Sequence, residues 1–150
     1  MISKEYLAGF IDGEGSIALY KHKDSRVQKG YTLHPKVVIA NTNEVIIKAI
    51  QKEIGGKIKE MSKQKDCKLV RIVEFQDYKQ IKSILKRLLP LLIIKQPQAK
   101  LMIEFCENRI KSNGKKYSER DYEIANIFSI INKRGEARSD KLLGILPNEL

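Results

Sequence analysis

The sequence predicts an α+β fold in which one antiparallel sheet of four strands has helices packed on one face. Two observations support this prediction: the segment order is α-β-β-α-β-β-α followed by two more helices, and the helical segments carry apolar stripes. The 150 residues are enough for a real hydrophobic core and too few for two domains of typical size. We therefore expect one domain over residues 1–150.

The first third of the chain predicts two helices that flank two strands. Ser3 is expected to cap a helix that ends at about residue 13, because its side chain can accept a hydrogen bond from the first turn. Alternating polar and apolar residues predict strands over 16–20 and about 32–40, with a basic loop between them. A helix over about 43–54 follows, and it closes at two consecutive glycines.

The rest of the chain predicts a hairpin and three helices. Extended segments over 57–62 and 68–75 are joined by a polar turn. Asp77 is expected to cap the first of the three helices, and Pro97 lies in the first turn of the next one. The last helix begins at Ser118 with a capping-box pattern. Signals fade after residue 133, where 142–146 is expected to add a short packed turn.

Charge and hydropathy limit the classes of partner. Lys plus Arg number 29 against 18 Asp plus Glu, which gives a net charge of +11 and a pI of about 9.6. Such a balance favours a nucleic-acid partner, although ribosomal proteins and binders of anionic membranes are also basic. The strongest apolar run, 88–94, is far shorter than the ~20 residues that cross a bilayer. With no secretory pattern and no CxxC spacing at Cys67 or Cys106, we expect a soluble intracellular protein.

The most informative stretch is Leu7-Ala8-Gly9-Phe10-Ile11-Asp12-Gly13-Glu14-Gly15. Gly9 and Gly13 lie four residues apart on one helix face, so two such helices can approach closely. Each glycine weakens a helix by ~1 kcal/mol relative to alanine, so the pair needs a packing or functional reason. Asp12 and Glu14 lie at the helix end, where Mg²⁺ can bind one or two carboxylates together with water and substrate phosphate.

This stretch resembles the signature of the LAGLIDADG homing endonucleases. Further landmarks of that family follow in the same order: Asn41-Thr42-Asn43, Gly55-Gly56, Leu89-Pro90-Leu91-Leu92-Ile93-Ile94-Lys95-Gln96 and Gln98-Ala99. The resemblance covers about residues 4–110 and leaves a helical extension over about 111–150. It implies an αββαββα core whose four-stranded sheet forms half of a DNA-binding saddle.

The resemblance also implies roles for single residues. Glu14 matches the family's metal ligand, with the carbonyl of Gly13 as an auxiliary ligand, although glutamate stands where the family name has aspartate. Lys95 matches a basic residue used near the scissile phosphate. Asn41 falls near a polar position that orients solvent around the metal, and a helix-capping role is an equal alternative. The implied cofactor is Mg²⁺, for which Mn²⁺ is expected to substitute, and no small-molecule cofactor is implied.

The motif occurs once, and members of the family with one motif are homodimers. The resemblance places the motif helices of two copies against each other, and Asp12 is implied to support this pairing. The interface residues that we predict are Leu7, Ala8, Gly9, Asp12 and Gly13. A twofold dimer reads a palindromic or near-palindromic duplex, and the family cuts across the minor groove to leave 3′ overhangs.

Alternation along the strands predicts which side chains face double-stranded DNA. The predicted strand residues are Tyr20, His22, His34, Lys36, Lys57, Lys59 and Arg71, and the predicted loop residues are Lys23, Arg26, Lys29, Lys63 and Lys65. Strands of about ten residues at ~3.3 Å each, doubled by a dimer, span ~66 Å or ~20 base pairs. A long target site is therefore expected.

Three functions remain open at this point. The first is a site-specific, Mg²⁺-dependent homing endonuclease encoded within an intron or intein. The second is a binder on the same fold that does not cut DNA, either an RNA-splicing maturase or a DNA-binding regulator. Regulators of this kind usually lose the acidic ligands, so the retained Glu14 argues against that version. The third is a basic ribosome-associated protein.

Overall fold

The computed structural model describes residues 1–61 and 65–133, and it confirms the predicted α+β fold. The elements in chain order are α1 (Lys4–Glu14), β1 (Gly15–Lys23), β2 (Tyr31–Asn41), α2 (Glu44–Ile54), β3 (Lys57–Glu60), β4 (Arg71–Phe75), α3 (Tyr78–Leu88), a 3₁₀ turn (Leu89–Leu91), α4 (Gln96–Ser112) and α5 (Glu119–Ile131). The predicted turn over 142–146 and the predicted DNA contact Lys63 lie outside the described residues. None of the helices in the described part of the chain is long and apolar enough to cross a membrane.

Local capping chemistry sets the helix boundaries. The Ser3 hydroxyl accepts a hydrogen bond from the Tyr6 N–H at the start of α1. Asn43, Asp77 and Ser118 cap α2, α3 and α5 through their side chains, and Ser118 forms the predicted capping box. These bonds satisfy backbone donors that the first turn of a helix leaves unpaired. The predicted helix starts are therefore confirmed.

The four strands form one antiparallel sheet in the order β1-β2-β4-β3. Ile17, Leu33, Val37, Ile39 and Val73 are buried on one face, against the helices. The residues that alternate with these along β1 and β2 have their side chains on the other face, where they are exposed or half-buried. We call this second side the open face. It comprises Ser16, Ala18, Tyr20, His22, Thr32, His34, Lys36, Val38, Ala40, Lys57, Lys59, Ile72 and Glu74.

One hydrophobic core joins the helices to the covered face of the sheet. Leu7 and Ile11 of α1 lie in it, fully buried, and so do Phe75 of β4 and Phe105 of α4. Phe128 of α5 belongs to the same cluster. The described part of the helical extension therefore packs into the core rather than standing apart from it.

The strands differ in length from the predictions. β1 continues through residues 21–23, which were expected to belong to the basic loop. These residues are polar on both faces and give no alternating pattern, but they pair with residues 31–33 of β2 and extend the hairpin. β3 and β4 are shorter than expected, with bounds at Lys57–Glu60 and Arg71–Phe75.

Gly56 allows the α2–β3 connection to pass the core. Its φ is +93°, and a Cβ there would lie 2.7 Å from Cε1 of Phe75. We expect Gly56→Ala to lower the free energy of unfolding by about 3 kcal/mol, because backbone strain adds to overpacking. Gly114 has φ +82° and open space around it. Gly114→Ala is the matched control and should cost only about 1 kcal/mol, since it carries the strain alone. Equal losses in urea unfolding would contradict this account of Gly56.

Candidate functional site

The end of α1 is fixed to the segment that precedes α4 by the carboxylate of Asp12. Its Oδ2 accepts a hydrogen bond from the Ile93 N–H at 2.8 Å, and its Oδ1 accepts one from the Lys95 N–H at 3.0 Å. Asp12 is only 9% exposed. Because both oxygens bind backbone groups of the same chain, Asp12 positions this segment and is not left free as a metal ligand.

Lys95 lies beside the end of α1. Its Nζ donates a hydrogen bond to the backbone carbonyl of Asp12, and the side chain is half-buried. Burial lowers the pKa of the Lys95 ammonium, while the negative charges of Asp12 and Glu14 oppose that change. The structure thus brings together Lys95 and Glu14, which the sequence analysis assigned to one site across about eighty residues of chain.

Glu14 is the last residue of α1, and its carboxylate is exposed. It makes no hydrogen bond or ion pair with the described residues. Gly13, whose carbonyl was the predicted auxiliary ligand, is exposed beside it. Within residues 1–61 and 65–133, no three His, Cys, Asp or Glu side chains surround a common point where a metal ion would fit. One free carboxylate per chain suits Mg²⁺, which retains water and takes substrate phosphate as further ligands.

A groove of about 460 Å³ connects this site to the open face. Gly15, Ser16 and Tyr20 line one side of it, and Lys95 and Gln98 line the other. The Oε1 of Gln98 is buried there and accepts no hydrogen bond from the described residues. The sequence analysis named Gln98 as a family landmark but gave it no role in the site. The available signal was its spacing, because residues three apart at the start of α4 lie on the same side.

Asn41 forms part of the turn before α2, and the residue that caps this helix is Asn43. It lies at the end of β2 with the parity of the covered face, opposite Arg71. Its Oδ1 accepts a hydrogen bond from the Asn43 N–H at 2.8 Å, in the turn before α2. No hydrogen bond joins Asn41 to Glu14 or Lys95, three residues that the structure does describe. Of the two alternatives for Asn41, Asn43 performs the helix capping instead, and the orientation of solvent by Asn41 stays a prediction.

The structure corrects the predicted interface on α1. Leu7 and Ala8 are 0% and 1% exposed, so they lie in the core of their own chain and cannot contact a second copy, and Asp12 is also buried. Gly9 and Gly13 are exposed on the outer face. A Cβ at either glycine would meet no atom of residues 1–61 and 65–133 within 4 Å. The described part of the chain therefore gives no steric reason for either glycine.

Six of the predicted DNA contacts share the open face. They are Tyr20, His22, His34, Lys36, Lys57 and Lys59. The rings of His22 and His34 stack with centroids 4.1 Å apart. Burial and the neighbouring His22 lower the pKa of His34. The face therefore presents amines, imidazoles and a tyrosine together, as a surface for nucleic acid would.

Arg71 was wrongly placed on the open face. It pairs in register with Asn41, which belongs to the covered side, and its guanidinium lies 3.5 Å from the Glu44 carboxylate and 3.4 Å from that of Glu60. The prediction failed because alternation alone does not fix how β4 pairs: β4 begins at Arg71 rather than at about residue 68, and its odd-numbered residues lie on the covered side. Ile72 and Glu74 occupy the open face of β4 instead.

The predicted loop contacts differ in their surroundings. Lys29 is held against α5, with its Nζ 4.2 Å from the ring centroid of Tyr122 and 3.5 Å from the Glu119 carboxylate. Arg26 is exposed and ion-paired with Asp24 at 2.9 Å. Lys23 and Lys65 are exposed.

Glu74 is a second residue that the sequence analysis missed. It lies on the open face and is 5% exposed. Its carboxylate binds the ammonium groups of Lys36, at 2.8 Å, and Lys59, and it also accepts a hydrogen bond from Gln76. Burial alone would raise the pKa of Glu74, but these three donors outweigh it and lower the pKa to about 2. The carboxylate is thus charged at any physiological pH.

Several known proteins share this fold. The archaeal intron-encoded homing endonuclease I-Vdi141I, solved with DNA, is 21% identical and superposes with a TM-score of 0.74 over 95% of this chain and 92% of its own. I-CvuI with its target in the presence of Ca is 18% identical, with a TM-score of 0.68 over 95% and 91%. I-SmaMI bound to cleaved DNA is 16% identical, with a TM-score of 0.72 over 99% of this chain and 50% of its own.

These structural similarities, at identities of 21% and below, establish a common fold. The family of the chain follows from a separate comparison with family models. No curated protein sequence matches the chain. Residues 7–106, more than half of the chain, match the family model described as LAGLIDADG endonuclease. The matched region runs from the α1 motif through the segment that holds Lys95 and into α4. The chain therefore belongs to the LAGLIDADG endonuclease family.

Proposed function

We propose that this protein is a homing endonuclease that cuts both strands of a long, near-palindromic DNA site in the presence of Mg²⁺. The observation that carries the proposal is the free, exposed carboxylate of Glu14 beside the half-buried Lys95, at the border of a basic open face. A DNA-binding regulator would need the open face but not this pairing. Mobility of a host intron or intein and 3′ overhangs follow from the family and belong to the same proposal.

The chain's own residues would prepare the phosphodiester for hydrolysis. Glu14, with the carbonyl of Gly13, would hold Mg²⁺, and the chemistry that the ion would supply is polarisation of the phosphate and activation of water. Lys95 uses one of its three N–H donors on the Asp12 carbonyl, which leaves two for a phosphate oxygen in the groove. Asp12 keeps this ammonium in place, because it anchors the backbone of Lys95.

Two copies are required to cut two strands. One chain supplies one free Glu14, and the exposed Gly9 and Gly13 allow the outer face of α1 to approach another helix closely. Packing of two α1 helices about a twofold axis would place both Glu14 residues near that axis and join two open faces. The joined surface would suit a duplex of ~20 base pairs, because β1 and β2, with 9 and 11 residues, each span ~33 Å.

The role of Glu14 is tested by Glu14→Gln, which keeps the shape of the side chain and removes its charge. We expect cleavage of the target in Mg²⁺ to fall by at least ~100-fold, because metal stabilisation of the transition state is worth several kcal/mol. Binding measured in Ca²⁺ should change little. Glu123→Gln, at an exposed site on α5, is the control and should cut like the parent.

Two results would contradict this proposal. Cleavage by Glu14→Gln at the parent rate would reject Glu14 as the metal ligand. A parent that binds its selected duplex without cutting it would favour the alternative of a binder that does not cleave.

The interface is tested by Gly13→Ala. A Cβ at this position is accommodated within one chain, so the dissociated monomer should unfold at equal or higher urea, with up to ~1 kcal/mol gained from helix propensity. In the dimer, the two added methyl groups, one from each chain, would lie where the two α1 helices approach most closely. We expect the dissociation constant to rise at least ~10-fold, from overpacking of 1–3 kcal/mol.

Sedimentation velocity over a concentration series measures this change, with Ser83→Ala on α3 as the control. An unchanged dimer in Gly13→Ala would show that the outer face of α1 is not the interface.

A further inference from the structure

The open face contains one buried carboxylate within a surface that is otherwise neutral or cationic. Among the thirteen described residues of that face, Glu74 is the only acidic one. If the face attracted phosphates by charge alone, an acid at this position would weaken binding by neutralising a neighbouring cation. The location of Glu74 suggests instead that it fixes the positions of neighbouring side chains.

Glu74 joins two strands of the face through their lysines. Lys36 comes from β2 and Lys59 from β3, and the carboxylate lies on β4 between them. Lysine side chains are flexible, so a free ammonium samples many positions. The two contacts fix both ammonium groups before any ligand arrives. Lys36 is held further by the Tyr20 ring, whose centroid is 5.4 Å from its Nζ.

Both lysines retain the capacity to bind something else. The side chains of Lys36 and Lys59 are 34% and 51% exposed, whereas that of Glu74 is 4% exposed. Each ammonium has three N–H donors, and its contact with Glu74 uses one. The carboxylate itself is shielded by its three donors, so it is not available as an acceptor for cytosine. The cluster therefore presents donors and no free acceptor.

Guanine is the base that fits such a cluster. In the major groove it offers two acceptors, O6 and N7, whereas adenine combines one acceptor with a donor and cytosine presents a donor. An ammonium group whose position is fixed before binding can discriminate between bases. A mobile ammonium group binds the nearest phosphate instead. We propose that Glu74 is a specificity-determining residue that holds Lys36 and Lys59 to read guanine in each half-site. This inference rests on the proposed function, since it assumes that the open face binds duplex DNA.

The test uses binding selection from a pool of duplexes with randomised near-palindromic half-sites, in Ca²⁺. Selection with the parent, Lys36→Gln and Lys59→Gln identifies the base pairs that these lysines read, and guanine should be enriched there. For Glu74→Gln we expect this enrichment to fall ~10-fold. Affinity for a non-specific duplex should rise several-fold, and the salt dependence should steepen by about one phosphate contact, because the lysines are released.

Glu107→Gln is the matched control, because Glu107 also pairs with two lysines, Lys82 and Lys86, but on α3 and α4. It should change neither base preference nor salt dependence. Glu74→Asp covers the case in which Glu74→Gln fails to fold. It keeps the charge but shortens the reach, so it should lose guanine preference without any gain in non-specific affinity.

Two results would overturn the inference in different ways. A parent that binds no duplex would reject the proposed function, and the reading of guanine would fall with it. A parent that selects a target, together with a folded Glu74 variant that keeps the same preferences, would leave the proposed function intact and assign Glu74 to folding alone.

Discussion

The two hydrogen bonds from Ile93 and Lys95 to the Asp12 carboxylate are the constraint on which the site depends. They fix the end of α1 against the segment that leads into α4. Because Asp12 is buried and both of its oxygens are used, α1 ends in a defined place with Glu14 exposed beyond it. The hydrogen bond from the Lys95 N–H to Asp12 also holds Lys95 next to the end of α1. The site is thus assembled by a residue that is itself unavailable for metal.

The two faces of α1 have different requirements. The inner face fills the core with Leu7, Ala8 and Ile11, and it behaves as any buried helix face does. The outer face has Gly9 and Gly13 where the fold of one chain would accept side chains. Retaining two glycines in a soluble helix lowers stability, and contacts within the described residues do not explain them. The helix pairing that we propose would explain them, and it would also bring the two Glu14 carboxylates together.

Local sequence patterns predicted most of the fold, because caps at Ser3, Asn43, Asp77 and Ser118 are chemical signals that need no distant contact. The family resemblance predicted roles for Glu14 and Lys95, and the structure places these two residues near each other. Features that depend on register or on long-range packing were harder to predict. Arg71 was assigned to the wrong face because local alternation does not reveal how β4 pairs with β2, and Leu7 and Ala8 were assigned to an interface that their burial excludes. The cluster of Glu74, Lys36 and Lys59 joins side chains from three strands, so no local sequence pattern predicts it.

The central claim is that each chain carries its own cutting site, built from Glu14 and Lys95, and that two chains act on one duplex. The most direct test is a mixed dimer of the parent and Lys95→Met, purified through two different tags and incubated in Mg²⁺ with a supercoiled plasmid that bears the selected target. One intact site should cut one strand, so nicked circles should accumulate and linear plasmid should not. Conversion of the plasmid to the linear form at the parent rate would contradict the claim.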